Sequence, residues 1–111
     1  MSDAIARLHA AITRVSRNGT SSSRTARLLA SGRAKMAKKL MEEAAEVTLD
    51  AVVDDREAVV RESADLIYNL TVLWADMGID PAEVWNEMDR REQLYGLAEK
   101  LQKGPVAVNG R

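Results

Sequence analysis

Apolar residues recur at spacings of three and four along most of the chain, a period that predicts helices. Ile5, Leu8, Ile12 and Val15 form one stripe behind Asp3, a capping residue, and Asn18-Gly19 ends that run. Thr20–Ser23 reads as a polar loop. Ser23 is placed to cap a short helix, Arg24–Ser31, with Gly32 at the position expected just past a helix end. A third helix is predicted from about Ala34 to Val53, with Met36, Leu40, Ala44, Val47 and Ala51 in register. Asp54-Asp55 breaks it, and Asp55 can cap a fourth helix from about Arg56 to Met77, ended by Gly78. Asp80-Pro81-Ala82-Glu83 reads as a capping box with proline at the first helical position, opening a fifth helix that carries Val84, Trp85, Met88, Leu94, Tyr95 and Ala98. Gly104–Arg111 has no period and reads as a flexible tail.

The pattern predicts an all-α fold of about five helices, one domain over residues 1–103. The fourth helix stands out. Val59, Val60, Ala64, Leu66, Ile67, Leu70, Val72, Leu73, Trp74 and Met77 surround most of its circumference. A helix apolar nearly all round has to be buried on several sides. In a chain of 111 residues this predicts a four-helix-bundle-like core completed by oligomerisation, as a homodimer or larger homo-oligomer.

Composition narrows the function classes. Cysteine is absent and histidine occurs once, as His9, which excludes disulfides and thiolate metal sites and disfavours nucleophilic triads. His9 is expected at the surface, and Trp74 and Trp85 at core or interface positions. No signal peptide is visible, and no apolar run approaches the roughly 20 residues of a membrane span, which suits a cytoplasmic protein. Net charge is −1, yet residues 1–39 hold nine Lys or Arg against one acid, while residues 40–111 hold seven against sixteen. Because the cations follow helical periods without interleaved aromatics, a nucleic-acid partner is disfavoured.

The sharpest chemical feature is two acidic pairs on consecutive helices, Glu43 with Glu46 and Glu62 with Asp65, with Glu42 just before the first. Spacing of i, i+3 puts each pair on one helix face, where like charges repel unless a cation sits between them. If the helices pack antiparallel, four carboxylates converge. Hard oxygen ligands without Cys or His select Mg²⁺, with Mn²⁺ as the alternative. The competing reading of the same spacing is a solvated acidic face. The cations Arg33, Lys35, Lys38 and Lys39 have two readings as well: surface pairs such as Lys38 with Glu42 and Lys39 with Glu43, or phosphate contacts. For Arg90 and Arg91 a solvated helix end is favoured.

The stretch from Lys38 to Val47, followed by Glu62-Ser63-Ala64-Asp65-Leu66-Ile67-Tyr68-Asn69-Leu70, resembles the phosphoribosyl-ATP pyrophosphohydrolases, a branch of the all-α nucleotide pyrophosphohydrolases that include the MazG-like proteins. The likeness extends upstream through Ser23–Gly32 and downstream to Arg91. It departs from the family at Met41, Arg24 and Asn69, where glycine, tyrosine and histidine are usual. The resemblance implies Mg²⁺-dependent hydrolysis of phosphoribosyl-ATP to phosphoribosyl-AMP and pyrophosphate, the second step of histidine biosynthesis. It further implies metal ligation by Glu43, Glu46, Glu62 and Asp65, a water oriented or deprotonated by Glu42, and phosphate contact by Lys38 or Lys39. Two rivals stand beside it: a MazG-like enzyme clearing the nucleoside triphosphate pool, and a non-catalytic helical oligomerisation module.

Overall fold

A computed structural model describes residues 3–18 and 23–101 of the chain, and their side chains as far as Gly96. Five helices make up the described residues: α1 (Ala4–Asn18), α2 (Arg24–Ala30), α3 (Arg33–Val52), α4 (Arg56–Met77) and α5 (Pro81–Leu101). There is no strand among them. The expected loop over residues 20–22 and the expected tail 104–111 lie outside the described residues.

The helix ends follow from local chemistry. Ser23 accepts from the Ala26 amide (3.1 Å) and Asp55 from the Ala58 amide (3.1 Å), each satisfying an N–H that the first turn cannot bond internally. Gly78 stops α4 in the left-handed region (φ 71°), where Ile79 N–H returns to the Trp74 carbonyl (2.8 Å). Gly32, also at positive φ (98°), follows Ser31 at the end of α2 and is at the same time the residue from which α3 starts.

By compactness the chain divides into two units, Met1–Pro81 and Ala82–Arg111. In the first, α3 and α4 form the principal packed pair, with α1 laid mainly on α4 and α2 touching α1, α3 and α4. The short turn makes α3 and α4 antiparallel. Arg33 at the start of α3 reaches Asp76 at the end of α4 (Nε to Oδ2, 2.8 Å), and further along the pair Glu43 meets Glu62 and Asp65. Ile12, Met36 and Val72 are the fully buried centre, surrounded by Leu8, Leu28, Leu29, Tyr68, Leu73 and Ala75. Burial of one such side chain contributes roughly 1.5–3 kcal/mol. The second unit is the body of α5, where Glu87 binds Arg90 (2.9 and 2.6 Å) and Arg91 (2.9 Å) along one exposed face. These two arginines hold the Glu87 carboxyl down at about 2.

One expectation needs correction. His9 is half-buried: its Nε2 lies 2.9 Å from the Ile79 carbonyl, so it ties α1 to the segment after α4. Within one chain, α4 is not buried all round. Val60, Ala64 and Ile67 form an exposed stripe, while its deepest positions include the polar Asn69 and Thr71. Each of those spends a donor on the carbonyl one turn back, Asn69 Nδ2 on Asp65 (2.8 Å) and Thr71 Oγ1 on Ile67 (2.7 Å). That is how a polar side chain is accommodated among apolar neighbours.

Candidate functional site

The antiparallel pairing of α3 and α4 decides which acids meet. Glu43, Glu62 and Asp65 each bring a carboxylate oxygen within 4.8 Å of the others, a separation one cation can bridge. Glu43 is the deep member, only 6 % exposed. Glu62 and Asp65 are half-buried, and Glu46 is exposed at the open side. Glu46 belongs to the constellation through Glu62. The Glu62 carboxyl is pushed up to about 7, first by the hydrogen bond its acid form makes to Glu46, then by burial and the Glu46 charge, with smaller contributions from Glu43 and Asp65. A proton is therefore retained where negative charge is crowded.

One oxygen each of Glu43 and Glu62 is buried without a hydrogen-bond partner. Unsatisfied carboxylate oxygens are costly in a packed helix pair unless an electrophile meets them. Glu43, Glu62 and Asp65, two of them with orphaned oxygens, are a hard donor set that could hold a divalent cation, with Glu46 outside that trio.

The cations separate into different roles. Lys39 Nζ stands 3.6 Å from Glu43 Oε2 and is half-buried beside the cluster. Arg33 is engaged by Asp76, away from the acids. Lys38 and Glu42 are both exposed on α3 and do not pair with each other. Glu42 lies one turn before Glu46, hence on the same open side. Arg90 and Arg91 are taken up by Glu87, in keeping with a solvated helix face.

The three departures from the family pattern also have places. Met41 is 69 % exposed, so it does not fill the space among the carboxylates. The Arg24 guanidinium lies over the Tyr68 ring, 5.5 Å from its centroid, and the Tyr68 hydroxyl bonds Thr25 Oγ1 (2.5 Å). Asn69, 1 % exposed, anchors the Asp65 carbonyl and leaves its own Oδ1 buried without a partner. Its burial was hidden in the sequence, because an asparagine within an apolar run shows only that it is unusual.

Fold and site together define an all-α protein in which two helices oppose acidic i, i+3 pairs across an antiparallel contact. The chain belongs to the phosphoribosyl-ATP pyrophosphohydrolase family, whose pattern matches residues 5–92. It is 58 % identical over 108 residues to phosphoribosyl-ATP pyrophosphatase 2 of Bradyrhizobium diazoefficiens, covering 97 % of this chain and 81 % of that protein. It is 57 % identical over 106 residues to the protein of the same name from Rhodopseudomonas palustris, covering 96 % and 81 %. The chain is thereby a hydrolase acting on phosphoric anhydrides, and the reading of its helices as a non-catalytic module is overturned. No helix among the described residues is long and apolar enough to cross a membrane.

Proposed function

We propose that this chain hydrolyses phosphoribosyl-ATP to phosphoribosyl-AMP and pyrophosphate in the cytoplasm, the second step of histidine biosynthesis, with Mg²⁺ or Mn²⁺ held by Glu43, Glu46, Glu62 and Asp65. The observation that carries the metal is the pair of orphaned carboxylate oxygens on Glu43 and Glu62. The names of the relatives above support the substrate.

When bound, the cation would neutralise phosphate oxygens and make water more acidic. The protein supplies the rest. Glu43 forms the deep end of the site and Glu46 the open end, so a phosphate chain enters from the side where Glu46 and Glu42 stand. Glu42 orients the attacking water and accepts its proton as the α–β anhydride breaks. Lys39, already beside the cluster, balances charge on the departing pyrophosphate; exposed Lys38 can swing to the same task.

A substrate panel tests the reading. Purified chain with Mg²⁺ should convert phosphoribosyl-ATP to phosphoribosyl-AMP far faster than it hydrolyses ATP, dCTP or dUTP. Rapid turnover of an ordinary triphosphate with phosphoribosyl-ATP untouched would move the chain to the pool-clearing branch.

A further inference from the structure

Next to the carboxylate cluster, α2 and the first part of α3 border a cavity of about 330 Å³ lined by Arg24, Arg27, Leu28, Ser31, Lys35 and Lys39. Four of these six residues are cations, and there is no Asp or Glu among the described residues that line it. A cavity walled by one sign of charge concentrates counter-ions of the other. Lys35 stands in the first turn of α3, a turn that holds no acid, so the field of the helix end adds to that of the side chains. Ser31 turns its hydroxyl back to the Leu28 carbonyl (2.5 Å), so that donor is already used.

Two features distinguish this cavity from an ordinary basic surface. Arg24 is held over Tyr68, itself fixed by Thr25, so its planar guanidinium is ordered before any ligand arrives. An ordered guanidinium meets phosphate oxygens with two parallel hydrogen bonds at little entropic cost. Lys39 lines the cavity and also stands 3.6 Å from Glu43, so one side chain is shared between the cavity and the carboxylate cluster.

We propose that the α2–α3 cavity seats a phosphoryl group of the substrate, apart from the phosphates that face the carboxylates, with Arg24 and Lys35 as its selective contacts. This rests on the function proposed above, because phosphoribosyl-ATP carries phosphate at two ends. Either the pyrophosphate half of the triphosphate or the monoester on the second ribose supplies the group. An ordinary nucleoside triphosphate lacks the second of these.

Binding of inorganic pyrophosphate and of ribose 5-phosphate to the full chain, measured by calorimetry in the presence of a chelator, tests the seat. At least one probe should bind the unaltered chain and weaken by roughly 10-fold or more in Arg24→Gln/Lys35→Gln. Arg14→Gln, exposed on α1, should bind as the unaltered chain does. Loss confined to pyrophosphate assigns the seat to the leaving group; loss confined to ribose 5-phosphate assigns it to the monoester end. Neither probe binding, or equal binding by the double variant, overturns the proposal. Should the double variant fail to fold, Lys35→Gln alone, at an exposed position clear of the Tyr68 contact, decides the question by the same loss or retention of probe binding. Probe binding needs no turnover, so it judges the cavity even if phosphoribosyl-ATP is not cleaved. Cleavage with unaltered probe binding overturns the cavity alone.

Discussion

Glu62 shows how one residue reports on the whole site. Its carboxyl titrates near 7 because Glu46, burial and the neighbouring acids all oppose its charge. The folded protein therefore holds a proton that the unfolded chain releases at the ordinary value of 4.5. Without metal, stability from this group is complete below 4.5 and is lost as pH rises through about 7. Chemical denaturation of chelated protein should thus show lower stability at pH 8 than at pH 5.5, and Glu62→Gln should flatten that slope. A slope unchanged in the variant would dissociate Glu62 from it. The acidic pairs were legible in the sequence, because i, i+3 spacing alone puts two carboxylates on one face. What spacing could not reveal is their ranking, with Glu43 deep and Glu46 exposed. That ranking depends on how α4 is rotated against α3.

At the scale of helices, Ser23, Asp55 and Gly78 could be read directly, since capping is local chemistry between residues a few positions apart. His9 could not, because its partner, the Ile79 carbonyl, lies 70 residues away. Asn69 and Thr71 were hidden for a related reason: hydropathy counts them as polar, whereas their bonds to carbonyls one turn back let them occupy the deepest part of α4. Two substitutions test this layer. Asp55→Ala removes the cap of α4 and should cost about 1 kcal/mol in urea unfolding. Met36→Ala opens a void beside Ile12 and Val72 and should cost roughly 2–5 kcal/mol. A Met36→Ala cost below that of the cap would place the centre of the core elsewhere.

For the whole molecule, the apolar surface of α4 is only partly used within one chain. Val60, Ala64 and Ile67 continue as an exposed stripe, and α3 adds a second through Met41, Ala45, Leu49 and Val52. Contiguous apolar stripes on two helices are what a second copy would cover. Sedimentation at micromolar concentration should accordingly find no stable monomer, and Leu49→Glu should shift the chain toward monomer without loss of helix content. A well-folded monomer of the unaltered chain would defeat this. In the function proposed above, the α3–α4 carboxylates hold a divalent cation for cleavage of phosphoribosyl-ATP. It is tested most directly by pyrophosphate release from that substrate as Mg²⁺ is removed and restored, in the unaltered chain and in Glu43→Gln. Release should fall to background in chelator, return with Mg²⁺, and stay at least about 100-fold lower in Glu43→Gln at unchanged helix content. Full release in chelator, or an unimpaired Glu43→Gln, would contradict it.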